Sequence, residues 1–429
     1  MMATMVALLG LGVLAHVLLQ HGQFLRALKR RPLPARLPGA YPSISVIRPV
    51  RGRDVGAAEN FAAALDTGYP GPVETLYVVD EPDDPAIPLL EAAIKAHRAS
   101  GAPGTASLVL AGAPPAGRTG KLNAMMVGMR AATGELVAFG DSDSRPDRDV
   151  LRVLVETLLT TPRAGCAFAP VVADRPAQTS GDVAYALLLN GLYGPAVALA
   201  AEPTGDLPFI MGQLMVLRRD ALEAVGGLAC ADGHLVDDMQ IGKALAEAGW
   251  RNVPSSHPLP IVTGGMDLPA FMSLLRRWLF FQRGGLPHSF TWPLWLRGFE
   301  FGFGLVVGAL MMLAGYPLEA VPSMLTAGAV SWSVAVLHRK FGGSPLAARH
   351  MMVPLGLFLA APLVHLGAVF FPSVRWRGRD YLLDANARLE KVENLPFGNA
   401  LATGGMQPSP APALGRRPPG ETRPAEPPD

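Results

Sequence analysis

The stretch LVAFGDSDSRPD, residues 136–147, decides the fold. Leu136–Gly140 is a short run of apolar and small residues with no polar alternation, which reads as a strand buried on both faces, as in a parallel sheet. It ends abruptly in Asp141-Ser142-Asp143. Working outward, Ile44–Pro49 (ISVIRP), Glu74–Val79 (ETLYVV) and Ala167–Val172 (AFAPVV) are likewise short apolar runs rich in Val, Ile or Phe. Helical patterns such as Leu89–Ser100 and Leu122–Ala132 lie between them. Strands alternating with helices predict an α/β domain with a mainly parallel sheet covered on both faces, here spanning residues 40–265. In such sheets ligands bind beyond the carboxyl ends of the strands, so chemistry is expected just after each apolar run.

Acidic residues stand at those places. Asp141 and Asp143, one residue apart in extended chain, face the same side. Two carboxylate ligands suit Mg²⁺ or Mn²⁺, hard cations that also take phosphate oxygens. The same spacing also occurs in ordinary solvated turns. Asp80, Asp83 and Asp84 follow the second run, in VVDEPDDPA (78–86), where carboxylates can hold a ribose or base or stabilise the turn around Pro82 and Pro85. Gly120-Lys121-Leu122-Asn123 opens a helix, and a lysine there suits a diphosphate. Asp237-Asp238 opens another helical pattern, Met239–Ala248, as caps or with one carboxylate as a general base. Arg276-Arg277-Trp278 offers a guanidinium for an anion, or an anchor at a membrane interface.

Composition adds the membrane. Of 429 residues, 50% are hydrophobic and 17% are charged, against about 25% charged in ordinary soluble domains. The deficit is local. Residues 1–25 contain no Asp, Glu, Lys or Arg, and the apolar Met5–Leu19 starts a spanning helix rather than a cleaved signal. Arg26, Lys29, Arg30, Arg31 and Arg36 follow it, which places the next domain in the cytosol at the inner membrane. Residues 266–300 mix aromatics with arginines, as interfacial helices do. Charge-free stretches at 301–318, 320–337 and 351–374 each approach the length of one span. Three spans would put Arg375, Arg377 and Arg379 outside, against the positive-inside rule, so the topology stays open. The tail, 400–429, is rich in proline and reads as disordered. A net charge of +2 gives no reason to expect nucleic acid. Two cysteines, Cys166 and Cys230, are too few for a disulfide scaffold and read as reduced thiols.

Together the motifs VVDEPDDPAI (78–87), GKLNAMMVGMRAATGELVAFGDSDSRPD (120–147), PVVADR (170–175), MGQLMVLRRDALEAVGGL (211–228) and HLVDDMQIGKALAEAGWRN (234–252) resemble the ceramide glucosyltransferases of family 21, relatives of family 2 that include bacterial hopanoid-biosynthesis glycosyltransferases. RRW (276–278) and VRWRGRDYLL (374–383) extend the likeness. The resemblance implies a GT-A-type fold and single-displacement inversion. It implies that Asp238 is the catalytic base and that Asp141 and Asp143 hold the metal. It groups Asp80, Asp84, Lys121, Asn123, Asp141, Arg277 and Trp278 around a UDP-sugar. Leu274 stands where relatives carry Gln or Arg, which weakens any extension to processive polysaccharide synthases, and residues 185–205 lack the His-Pro of the animal enzymes.

The expected activity is therefore transfer of a sugar, glucose first, from a UDP-sugar to the hydroxyl of a bilayer lipid, with ceramide as the favoured acceptor. N-acetylglucosamine transfer to a hopanoid polyol is the alternative. An inactive membrane scaffold is the rival from another class, and the intact aspartates speak against it.

Overall fold

The computed structural model describes residues 1–29, 33–283, 288–350, 353–354, 356–358, 360, 373–377, 379–384 and 388–394. The expected tail and most of the expected span at 351–374 lie outside the described residues.

The chain opens with helix α1 (Met2–Ala27). The α/β part then alternates β1 (Ile44–Val50), α2 (Ala57–Leu65), β2 (Val73–Val79), α3 (Ile87–Ser100), β3 (Thr105–Leu110), α4 (Gly120–Ala131), β4 (Leu136–Gly140) and α5 (Val150–Thr160). It continues through β5 (Ala164–Phe168), β6 (Val171–Val172), α6 (Ser180–Leu187), a π-helical turn at 188–193, α7 (Gly194–Ala200), β7 (Leu214–Arg218), α8 (Arg219–Ala224), α9 (Asp237–Glu247), β8 (Arg251–Pro254) and β9 (Leu259–Pro260). Helices α10 (Leu268–Arg283), α11 (His288–Leu313) and α12 (Pro317–Phe341) follow, then a small antiparallel sheet of β10 (Ser373–Trp376), β11 (Arg379–Leu383) and β12 (Leu389–Asn394).

The main sheet has the order β3-β2-β1-β4-β7-β5-β8, and only β7 runs antiparallel to its neighbours. β4 is buried along its whole length and β1 almost so, as their apolar sequences require. The expected strand at Ala167–Val172 divides at Ala169-Pro170, where β5 stays in the main sheet and β6 leaves to pair with β9. A proline has no N–H for a ladder bond, which suits the break. The chain winds from β1 outward through β2 and β3, then crosses back to β4 on the other side of β1. The topological switch point therefore lies between β1 and β4, and the crevice at their carboxyl ends is where such a sheet binds its ligand.

Among the described residues, four helical stretches are long and apolar enough to cross a membrane: Met2–Ala27, Ser180–Ala200, Leu296–Leu313 and Pro317–Phe341. Ser180–Ala200 is enclosed by protein, with 83% of its apolar window buried, so it is a core element under the site. The other three pack together as α1, α11 and α12, leaving side chains such as Leu19, Leu310 and Leu313 exposed on their outer faces. Helix α11 runs without a break through residue 300 and buries Arg297 and Glu300 toward α1. Glu300 there accepts from Arg297 at 3.1 Å and stands 2.6 Å from His16. That mutual pairing is what permits charges among apolar helices.

Candidate active site

Much of the crevice comes from strand ends and helix starts. Beyond β1 lie Arg51 and Asp54, beyond β2 lies Asp80, and beyond β4 lie Asp141 and Asp143. Because β7 is antiparallel, its leading residues Gly212 and Gln213 arrive at the same edge, and the Asp141 amide donates to the Gln213 carbonyl at 2.9 Å. Thr119 caps α4 by accepting from the Leu122 amide at 3.1 Å, which fixes the first turn and aims Lys121 into the crevice. The Lys121 ammonium meets Asp141 Oδ1 at 2.7 Å. Burial alone would lower the lysine pKa, but Asp141, Asp237 and Asp238 outweigh it and hold the ammonium charged.

Asp238 sits in the first turn of α9. Its Oδ2 accepts from the Gly212 amide at 2.6 Å and its Oδ1 from the Met239 amide at 2.9 Å. Burial and then the neighbouring Asp237 push its pKa up to about 7, against the pull of Lys121. A carboxylate tuned to near-neutral pH can accept a proton from a hydroxyl, which an ordinary aspartate does poorly. Asp237 is buried beside it and lines the same crevice, and its own acidity is weakened by burial.

On the opposite wall, Asp143 is pushed up to about 6 by burial and by the Asp54 and Asp141 carboxylates. Its Oδ1 is buried without a protein partner. A buried, repelled carboxylate oxygen with no donor is a poor arrangement for a bare site and a good one for a cation. Among the described residues, no group of three or more His, Cys, Asp and Glu forms a complete metal-ligand set. Asp141 and Asp143 would leave the rest of an ion's coordination to phosphate oxygens and water, the usual mode for Mg²⁺.

From α10, Arg277 and Trp278 line the same crevice. Trp278 stands edge-on to Tyr185 and Tyr193, with ring centroids 5.8 and 5.2 Å away. Arg277 is lowered to about 10 by burial and by the nearby Arg377. The structure therefore brings together Asp80, Lys121, Asp141, Asp143, Asp238, Arg277 and Trp278.

Asp84 and Asn123 are placed differently. Asp84 accepts from the Gly52 amide at 2.9 Å and the Ala86 amide at 2.8 Å, so its carboxylate ties the loop after β1 to the start of α3. The Asn123 side chain donates to the Gly112 carbonyl at 3.2 Å. Both are buried behind the wall and shape it.

Several site residues escape the sequence reading. Asp54 follows β1, and the strand-end rule applied there would have found it. Gln213 arrives on an antiparallel strand, which a parallel reading does not anticipate. Trp376, Arg377, Arg379 and Tyr381 come from β10, β11 and the turn between them, far along the chain and beyond the membrane helices. Arg379 donates to Asp80 at 2.8 Å, both buried. No local pattern in the sequence links those two.

A doubly wound, mostly parallel sheet with an acidic switch-point crevice, joined to apolar helices at both ends, defines a membrane-associated glycosyltransferase of the GT-A type, a hexosyltransferase. The chain belongs to glycosyl transferase family 21, whose profile matches residues 2–389. It is similar to ceramide glucosyltransferase 3 of Caenorhabditis elegans, 24% identical over 347 residues that cover 80% of this chain and 73% of that protein. It is also similar to ceramide glucosyltransferase 1 of the same organism, 24% identical over 362 residues, 82% of this chain and 74% of that one. Among solved structures, a mannosyltransferase from Pyrobaculum calidifontis in complex with GDP-Man and Mn²⁺ is 20% identical with a TM-score of 0.46, covering 84% of this chain and 97% of that chain.

Proposed function

We propose that this enzyme transfers glucose from UDP-glucose to the primary hydroxyl of a ceramide-class lipid, working at the cytosolic face of the inner membrane. The observation that carries the reading is the position of Asp238. Its carboxylate is held by Gly212 at 2.6 Å, on the wall of a crevice whose other walls bear Lys121, Arg277 and the Asp141–Asp143 pair. One face of that crevice is thus built for a diphosphate and the other for taking a proton. The apolar side chains of Met266, Ala270 and Leu274 line the crevice on the α10 side, a surface suited to a lipid chain. The names of the family-21 relatives supply glucose and ceramide.

In this mechanism Asp238 removes the proton from the lipid hydroxyl. The oxygen attacks the anomeric carbon from the face opposite the diphosphate, the carbon–oxygen bond to UDP breaks, and UDP leaves with the electron pair. The anomeric configuration inverts. Lys121 and Arg277 face the charge that develops on the leaving diphosphate, which is where fixed positive groups contribute most. Asp141 and Asp143 would hold Mg²⁺ or Mn²⁺, which supplies Lewis-acid neutralisation of that same diphosphate. Asp80 helps shape the nucleotide end of the crevice.

The test is label transfer by membranes containing the protein, with UDP-glucose and UDP-N-acetylglucosamine offered separately, to ceramide or to a hopanoid polyol. The expected result is glucose-labelled ceramide, lost in Asp238→Asn. Label in the polyol from UDP-N-acetylglucosamine would replace both donor and acceptor. No transfer to any lipid, from a protein that still binds UDP, would overturn the lipid acceptor.

A further inference from the structure

We propose that Arg377, carried by the turn between β10 and β11, is a phosphate-binding residue of the donor site, meeting the nucleoside diphosphate beside the Asp141–Asp143 wall.

The turn is held in place by packing. Val374, Tyr381 and Leu383 form a small buried core with Leu235 and Val236, just before α9, and with Leu279 and Phe280 of α10. Those two elements carry Asp238 and Arg277, so the last described part of the chain is locked to both sides of the reaction centre. The backbone clasps the crevice as well. Arg51 Nε donates to the Arg377 carbonyl at 2.8 Å, and Arg377 Nη1 donates back to the Arg51 carbonyl at 3.3 Å. Arg377 holds a left-handed conformation, φ +50°, uncommon for a residue with a side chain. A strained backbone kept in place by surrounding bonds is a pointer to function.

The electrostatics point the same way. The Arg377 guanidinium reaches Asp54 Oδ1 at 2.5 Å and lies within the field of Asp143. It also lies near Arg277, whose Cζ stands 5.3 Å from the centre of the Trp376 ring and whose Nε is buried without a partner. Two guanidiniums share one end of the crevice: Arg377 makes Arg277 costlier to keep charged, while Asp54 and Asp143 hold the charge on Arg377 itself. An anion between them would remove that cost, and guanidinium groups suit phosphate oxygens in geometry and charge. Neutralising Asp54 alone would not require Arg377 to line the same crevice as Arg277.

The inference rests on the donor reading, so the test separates the two. Full-length protein in detergent is titrated with UDP, GDP and the matching nucleosides. Arg377→Gly removes the side chain while suiting the left-handed backbone, and Arg377→Lys retains a charge; thermal unfolding reports on folding of both. Arg377→Gly should weaken UDP binding about 10- to 100-fold, the scale of a lost charge-assisted contact, and leave uridine within about twofold. Arg377→Lys should recover part of the loss. Equal weakening of UDP and uridine, or undiminished UDP binding, would overturn the role of Arg377. If Arg377→Gly fails to fold, the ratio of UDP to uridine affinity in Arg377→Lys decides, and an unchanged ratio overturns it. A wild-type preference for GDP would overturn the donor reading while Arg377 is judged on GDP against guanosine. Binding of neither diphosphate would overturn both.

Discussion

The Gly212 amide and the Asp238 carboxylate form a 2.6 Å hydrogen bond in which the glycine leaves no room for a side chain. A Cβ at Gly212 would lie within 2.9 Å of three Asp238 side-chain atoms. The strand-leading glycine thus both binds and seats the proposed base. Gly212→Ala should displace the carboxylate by a fraction of an ångström to an ångström. Misplacement on that scale costs about 10²-fold in kcat. Nucleotide affinity should stay within about twofold, because the diphosphate wall is untouched. A Gly212→Ala enzyme of normal turnover would show that the position of Asp238 does not set the rate.

The raised pKa of Asp238 gives a signed pH dependence. The base must be ionised to act, so kcat/KM should fall about tenfold per pH unit below about 7 and level off above it. The same shift works against stability. The unfolded carboxylate ionises near 4 and the folded one near 7, so the folded state holds the extra proton between them and stability falls as pH rises through that window. Asp238→Asn should therefore lower kcat by about 10²- to 10⁴-fold while raising Tm above pH 7. A profile that stays flat down to pH 5 would exclude Asp238 as the titrating base.

How much of this was legible in advance depends on how local each signal is. The strand before Asp141 is an uninterrupted apolar run and the one before Asp80 ends in one, Leu76–Val79, and burial on both faces leaves that mark directly in sequence. β3 alternates exposed and half-buried residues at the sheet edge, and its weaker pattern did not stand out. The rule that ligands collect at strand ends located Asp80, Asp141 and Asp143 without any structure. It could not separate Asp84 from Asp80, four residues apart, because one turns into a loop and the other into the crevice. The least legible part is the β10–β11 turn. Arg377 reaches Asp54 across 323 residues of chain, and its arginines had read as topology markers. Only tertiary packing reveals such a contact.

The buried pair Arg152–Glu156 on α5 offers a stability test remote from the chemistry. Glu156 has no exposed side chain, and it takes Arg152 Nη1 at 2.6 Å and the Tyr41 hydroxyl at 2.5 Å. Arg152→Met leaves that carboxylate buried with the Tyr41 hydroxyl and only the exposed Arg36, 3.8 Å away, to balance its charge. Removing one partner of a buried pair costs about 3–5 kcal/mol. The measurable outcome is a lower unfolding midpoint, largely recovered in the Arg152→Met, Glu156→Leu double variant. A double variant as unstable as the single one would mean that lost packing, not the uncompensated charge, is the cause.

Asp143 gives the test for a metal that does not depend on turnover. Its buried Oδ1 has no partner, and Asp54 and Asp141 both disfavour its charge. A carboxylate so placed destabilises the metal-free protein and gains most when a cation arrives. Asp143→Asn should therefore raise Tm in EDTA. Adding Mn²⁺ with UDP should raise the wild-type Tm by several degrees, since a ligand that binds only the folded state stabilises it by RT ln(1 + [L]/Kd). The same addition should raise the Asp143→Asn midpoint much less, and this variant should lose transfer activity in parallel. Equal shifts in the two proteins would mean that Asp143 does not meet the ion. EDTA-resistant transfer would go further: the charge on the departing diphosphate would then fall to Lys121 and the arginines alone.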